Sequence, residues 1–339
     1  MRRALLLGRR SRAIAPPNPW VGATVVAGGE VVGEGRTSRP GGPHAEVQAL
    51  RMAKERARGA ALYVTLEPCV HYGRTPPCAD AIIEAGIARV VVGTIDPDGR
   101  VRGKGVDRLR AAGVEVIVGW PTNQPVYDLM PYLKQRLLGR PYVVGKIAMS
   151  LDAKVTDWNQ RSKWVTGAEA RAASHRLRRE AQAVVIGSGT LAADSPALTA
   201  RRGGRLYGPQ PERWVISRTG LDSVPPGFKV SAKEPDEFLL DLAEDGVISV
   251  LVEGGPSLLG SFISKGALDE LAIFVAPKIF GEGLSAFRVP GWNIDLSFGR
   301  FESQRRVGKD LWIGFRTAEG VEALSEVEEW VRAQARRFA

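Results

Sequence analysis

Along the chain, short apolar runs alternate with segments whose apolar positions recur every three or four residues, and turn residues mark the joins. After the proline-rich turn Ala15-Pro16-Pro17-Asn18-Pro19, residues 21–27 and 30–35 read as a strand pair joined at Gly28-Gly29. Residues 44–57 then read as a helix, 61–66 as an apolar strand, 68–77 as a Pro/Gly loop, 78–85 as a helix and 88–94 as a strand. Helix-then-strand recurs at 105–112 and 115–119, so an α/β unit closing near residue 120 is expected. Residues 123–138 read as helical despite Pro131, and Gly139-Arg140-Pro141 interrupts the pattern before a strand at 142–149, which sets a domain boundary near residue 140.

The second half alternates again, with helices expected at 167–181, 237–242 and 257–265 and strands at 183–186, 213–217, 247–252 and 270–275. In the tail, Val321, Leu324, Val327, Val331 and Ala335 fall at helical spacing, with acids early and arginines late as a helix dipole favours. The expected organisation is a first α/β domain at 1–140, a second at 141–318 and a docked amphipathic helix at 319–339.

A length of 339 residues suits two domains, and 44% apolar with 25% charged residues excludes a disordered, collagenous or coiled-coil chain. The formal charge of +10 suggests an anionic partner: nucleic acid, a membrane surface or a phosphorylated small molecule. Its distribution narrows the choice. Five arginines and no acid lie in residues 1–29, and eleven Lys/Arg face four Asp/Glu in residues 161–218, leaving the remainder slightly negative. The excess is local, which favours small phosphorylated ligands over a polymer.

Two cysteines, Cys69 and Cys78, exclude a disulfide framework and point to a reducing compartment. No apolar run approaches the ~18 residues of a spanning helix, so a soluble, cytoplasmic protein is expected, with no membrane and no nucleic acid among its partners. The Arg-rich start also has the composition of a transit peptide, but Ala4-Leu5-Leu6-Leu7 followed by Arg9, Arg10 and Arg12 equally suits a short helix with a basic face.

His44-Ala45-Glu46 opens a helix, and Glu67-Pro68-Cys69 with Cys78 follows a buried strand onto a second helix. One imidazole and two thiolates suit Zn²⁺ with an open fourth position, where the metal lowers the pKa of a water toward ~7. A carboxylate two residues from the His can carry protons without coordinating. The order H-x-E then P-C is that of zinc nucleobase deaminases, although eight residues separate these cysteines where that signature has two. The bland alternative makes His44 a helix cap and both thiols inert core.

In the second half no G-x-G-x-x-G follows a strand, so a Rossmann domain is not supported. Two other glycine turns follow strands: Gly187-Ser188-Gly189-Thr190, and Gly254-Gly255-Pro256-Ser257, which enters a helix and could hold a phosphate at its free N–H groups. Both also read as ordinary loop breakers. Lys146, Ser150, Asp152, Ser162, Lys163, Trp164, Arg178, Asp194 and Arg201 surround them, a set that fits either phosphate binding or a solvated helix face with a core tryptophan.

At these residues the chain resembles the RibD family of bifunctional riboflavin-biosynthesis enzymes, a pyrimidine deaminase fused to a reductase. The resemblance rests on residues 17–22 and 42–47, on the whole stretch 67–78, and in the second half on 146–152, 162–166, 175–178, 189–201 and 252–256. It implies a cytidine-deaminase-like three-layer α/β/α domain and a dihydrofolate-reductase-like α/β domain. It also implies zinc on His44, Cys69 and Cys78, with Glu46 as proton donor and Asn18 on the pyrimidine. NADPH would lie on Ala148, Trp164, Thr190, Asp194 and the turn Gly255, Pro256, Ser257, Leu258, Leu259, Gly260 and Ser261. A phosphorylated pyrimidine substrate would meet Ser162, Arg178, Leu198, Arg201 and Glu253. The chemistry implied is hydrolytic deamination followed by reduction of the ribosyl group to ribityl, and a homo-oligomer is compatible with it.

Against the family pattern, Ala153 stands where Gly is usual, Ser195 where Asp is usual, and Ser217-Arg218 where Asp-Ser is usual, all flanking the expected cofactor site. Three alternatives therefore stand beside this reading: an active deaminase with a degenerate reductase half, a nucleic-acid base deaminase, and a non-catalytic ligand-binding protein.

Overall fold

The computed structural model describes every residue except 74–75, 160–163, 222, 290–298 and 339. Two compact units emerge, Met1–Gly139 with Leu324–Ala339, and Arg140–Ala323.

The first unit contains α1 (Arg2–Arg9), β1 (Gly22–Ala27), β2 (Glu30–Arg36), α2 (Ala45–Ala53), β3 (Ala61–Val64), α3 (Cys78–Glu84), β4 (Arg89–Val92), α4 (Lys104–Ala111), β5 (Glu115–Val118) and α5 (Gln124–Leu138). Its sheet has the order β2-β1-β3-β4-β5, antiparallel on the β2 side and parallel from β3 to β5. Glycines explain how helices reach both faces. In the β1–β2 register Val25 faces Gly33 and Ala23 faces Gly35, so these four share one face and Gly22 lies on the other. A Cβ on Gly33 or Gly35 would come within 2.1 or 1.9 Å of an α2 carbonyl, and one on Gly22 within 1.8 Å of the Ala4 carbonyl in α1. Backbone contact with α2 on one face and α1 on the other makes the sheet the middle of three layers.

The second unit runs through β6 (Tyr142–Ser150), α6 (Ala168–Glu180), β7 (Ala183–Gly187), α7 (Ser188–Asp194), β8 (Arg201–Arg202), β9 (Arg205–Leu206), β10 (Glu212–Ile216), β11 (Phe228–Ser231), α8 (Pro235–Glu244), β12 (Ser249–Val252), α9 (Pro256–Ser264), β13 (Glu270–Ala276), β14 (Gly299–Val307) and β15 (Asp310–Thr317). The main sheet is ordered β11-β10-β7-β12-β6-β13-β15-β14, parallel as far as β13 and antiparallel in the last two strands. Its central strands read as unbroken apolar runs because both faces are covered. Val185, Val250 and Val252 enter one core with Phe238 and Phe262, and Val184, Ile186 and Leu251 enter another with Leu198. Each such side chain contributes roughly 1.5–3 kcal/mol by burial. The last helix, α10 (Ala318–Arg337), buries Leu324 and Val327 of the expected apolar stripe.

Several expectations differ from these elements. The helix expected at 44–57 ends at Ala53, where Lys54 takes φ 52° and a 3₁₀ turn follows to Ala57. α7 occupies what read as a glycine turn, and the strand β11 and the β14–β15 hairpin had no counterpart in the pattern. β14 is exposed along almost its whole length, so it carries no apolar alternation to read. Among the described residues no helix is long and apolar enough to cross a membrane.

Candidate functional site

His44 caps α2 in an extended conformation, and Cys78 is the first residue of α3, immediately after Pro77. Cys69 lies on the loop leaving β3 and is tied to that helix: its carbonyl accepts from the Ala79 N–H at 3.1 Å, and its sulfur from the Cys78 N–H at 3.4 Å. A sulfur at a helix N-terminus is favoured as thiolate.

The three donor atoms lie within 4.8 Å of one another, with His44 Nδ1 3.2 Å from Cys78 Sγ and 3.6 Å from Cys69 Sγ. A tetrahedral zinc with its usual bond lengths separates nitrogen from sulfur by ~3.5 Å, so the donor set fits that ion in identity and spacing. The Cys69 thiol is pushed down to about 4 by hydrogen bonds from Cys78 and then His44. His44 is pushed up to about 9, chiefly by its hydrogen bond to Cys69, while Cys78 is raised. Glu46, in the first turn of α2 and 4% exposed, is pushed up to about 7 by burial, against the pull of His44.

Glu67 and Asp96 were not among the expected site residues. Glu67 accepts main-chain hydrogen bonds from Asp96, Gly103, Gly105 and Val106, although burial still raises it to about 7. Asp96 accepts from the Tyr132 hydroxyl at 2.9 Å and is raised to about 6 by burial. The only sequence signal for Glu67 is a carboxylate ending an apolar strand just before Pro68-Cys69. Asn18 is half-buried in the turn before β1, its N–H bonded to the Ala15 carbonyl. A surface groove of ≈ 460 Å³ between α2 and α3 is lined by Val47, Arg51, Tyr72, Asp80 and Arg108 among others, but by none of His44, Glu46, Cys69 or Cys78.

In the second unit β7 and β12 are hydrogen-bonded neighbours, so the glycine turns that follow them lie side by side at the carboxyl ends of the sheet, where ligands of α/β folds sit. A Cβ on Gly255 would come within 2.8 Å of Thr190 Oγ1. Thr190 and Asp194 stand one turn apart on α7, and Gly255 is the N-cap of α9 without a side-chain cap. Ser257 and Leu258 follow in the first turn, whereas Pro256 and Leu259 are buried and Gly260 lies against the Arg288 carbonyl. Ser261 turns its hydroxyl onto the Leu258 carbonyl. Ala148 is half-buried in β6, and Trp164 is 61% exposed beneath the Arg171 guanidinium.

Arg178 and Glu253 are paired, with Lys146 3.6 Å from the same carboxylate. Arg201 is exposed, its Nε bonded to Thr199 Oγ1, and Leu198 is buried at φ 49°. His175, in α6, contacts the Thr199 carbonyl and the Arg201 N–H through Nδ1. Ser162 and Lys163 lie outside the described residues. Of the family departures, Ala153 and Ser195 take positive φ, Ser217 is buried on the Gly220 carbonyl, and Arg218 is exposed beside Glu234.

The comparisons with known proteins fall on the same two units. Residues 1–94 match the cytidine and deoxycytidylate deaminase zinc-binding region, and residues 141–310 match the RibD C-terminal domain. The riboflavin biosynthesis protein RibD of Aquifex aeolicus is 41% identical, covering 93% of this chain and 97% of its own length. That of Escherichia coli is 37% identical over 92% and 96%. Among solved structures, a diaminohydroxyphosphoribosylaminopyrimidine deaminase/5-amino-6-(5-phosphoribosylamino)uracil reductase from Thermotoga maritima superposes with a TM-score of 0.85 at 34% identity, covering 94% of this chain and 97% of that one. RibD from Acinetobacter baumannii gives 0.83 at 31% identity over the same shares. Matched in both halves and over nearly its whole length, the chain belongs to the RibD family of riboflavin biosynthesis proteins.

Proposed function

We propose that the chain carries out two successive reactions of riboflavin biosynthesis: hydrolytic deamination of a diamino-ribosylamino-pyrimidinone 5′-phosphate, then NADPH-dependent reduction of the ribosyl group of the resulting uracil to ribityl. The observation that carries this reading is the convergence of His44, Cys69 and Cys78 beside the buried Glu46 carboxyl, in a chain whose other unit belongs to the family's reductase domain.

His44 Nδ1 and the sulfurs of Cys69 and Cys78 would hold zinc, which when bound acts as a Lewis acid that activates water. Glu46, poised near neutral pH by burial, takes a proton from the attacking water at its carboxylate oxygen and passes it to the ring nitrogen, then carries the remaining hydroxyl proton to the departing amino group, so that ammonia leaves and a carbonyl remains. Asn18 is assigned to orienting the pyrimidine.

In the second unit NADPH, when bound, would supply a hydride for C1 of the sugar. Thr190, Asp194 and the helix start at Gly255, Ser257 and Leu258 are assigned to holding the dinucleotide, with uncapped N–H groups facing phosphate. Ala148 and Trp164 are assigned to NADPH as well. Arg178, Leu198, Arg201 and Glu253, with Ser162, are assigned to the ribose phosphate. The half-buried Arg178–Glu253–Lys146 cluster supplies fixed charge there that needs no reorganisation during the reaction. Domain limits at 1–140 and 141–318 fit this division of labour. Metal content tests the first step: about one zinc per chain is expected, and protein that takes up none and stays inactive with added zinc contradicts it.

A further inference from the structure

We propose that Glu67 is a positioning residue for the metal centre: its buried carboxylate, gripped by the N-terminus of α4, fixes the bend that presents Cys69. This rests on the reading of His44, Cys69 and Cys78 as a zinc site.

The Glu67 N–H is bonded to the Thr94 carbonyl at 2.9 Å, which turns its side chain inward, where the residue is 3% exposed. Oε2 accepts from the N–H groups of Asp96 at 3.2 Å and Gly103 at 2.9 Å, and Oε1 from those of Gly105 at 2.9 Å and Val106 at 3.2 Å. Three of these donors are the N-cap, second and third residues of α4. A helix leaves its first N–H groups without intrahelical partners, and here the N-cap is Gly103, which has no side chain to offer. Glu67 fills that role from another part of the chain, and the positive helix end suits a carboxylate.

The grip is tight on both sides. A Cβ on Gly105 would come within 2.2 Å of the Pro68 carbonyl, so α4 lies directly against the Glu67-Pro68 bend. Behind Gly103, at φ +79°, stands the end of α10: a Cβ there would come within 2.6 Å of the Phe338 ring. Phe338 is itself held, its carbonyl accepting from Arg110 Nη2 at 2.5 Å. Only Pro68, with its fixed φ, separates Glu67 from Cys69. A displacement of the Glu67 carboxylate therefore reaches the Cys69 sulfur with little to absorb it, and a sound zinc site keeps its ligand distances within about 0.2 Å of the standard bond lengths.

Glu67→Gln tests this, because the amide nitrogen cannot accept the N–H groups that one carboxylate oxygen now receives. Zinc release to a chelator should be about tenfold faster than from the unaltered protein, and the visible spectrum of the cobalt-substituted protein should change. NADPH oxidation with the deaminated sugar phosphate should stay unchanged. Phe338→Ala leaves the carboxylate intact and loosens Gly103, and a smaller acceleration of zinc release is expected. If the unaltered protein takes up no zinc, the metal reading fails and the proposal with it. If it takes up zinc but both variants release the metal at the unaltered rate, with the cobalt spectrum of Glu67→Gln also unaltered, the positioning role alone is overturned.

Discussion

Arg178 meets Glu253 at two points inside the second unit, Nε to Oε1 at 2.5 Å and Nη2 to Oε2 at 2.9 Å. Burial alone would raise the Glu253 carboxyl, but Arg178 and Lys146 outweigh it and hold it at about 2, against an ordinary 4.5. Because the folded-state value is depressed, the pair's stabilisation is complete above about pH 4.5 and drains away as the pH falls toward 2. The difference corresponds to about 3 kcal/mol. Glu253→Gln leaves two half-buried cations without their carboxylate, so it should cost about 3–5 kcal/mol at pH 7. It should also flatten the acid limb of unfolding curves followed between pH 7 and 2.5. Parallel curves for the two proteins would contradict the assignment.

Glu46→Gln should abolish deamination while zinc stays bound, since in the proposed assignment the carboxylate moves protons without being one of the three metal ligands. A loss of about 10²–10⁴-fold in kcat is expected from removing a general acid–base group. Metal content by atomic absorption and steady-state deamination on the same sample check both halves of the statement. NADPH oxidation with the already deaminated substrate should be unaffected, because Glu46 and the reductase site belong to different units.

Ala153 takes φ 56°, in the left-handed region that favours glycine, at the position where the family usually has glycine. Ala153→Gly should therefore raise the stability of the second unit by up to about 1 kcal/mol. Thermal unfolding with the two transitions resolved is the check, and a lower midpoint for the variant would show that this turn is not strained.

Much of the fold could be read because its central strands are apolar on both faces and its helices carry a regular apolar stripe. Val184, Ile186 and Leu251 mark their strands as plainly as His44-Ala45-Glu46 and Cys69 mark the candidate metal site. The elements that escaped reading lack such a stripe. β14 is an exposed, arginine-rich strand held by pairing to β15, and α7 starts on Gly187-Ser188-Gly189, which breaks helices as often as it begins them. Glu67 escaped for a different reason. Its partners are backbone N–H groups about 30 to 40 residues away in sequence, and no residue type advertises a main-chain donor. Lys146 meets Glu253 only because β6 pairs with β12, and His175 meets Thr199 only where α6 comes against the loop before β8.

The central claim is that one chain performs both reactions in sequence. Incubating the zinc-loaded protein with the diamino-ribosylamino-pyrimidinone phosphate, with and without NADPH, and weighing the products by mass spectrometry tests it most directly. Without NADPH, the product should be about 1 Da heavier than the substrate, as an amino group gives way to a carbonyl. With NADPH, about 2 Da more should be gained as hydride and a proton are added. A substrate recovered at its original mass under both conditions would contradict the account, and a product arrested at the first increment despite NADPH would contradict its second half.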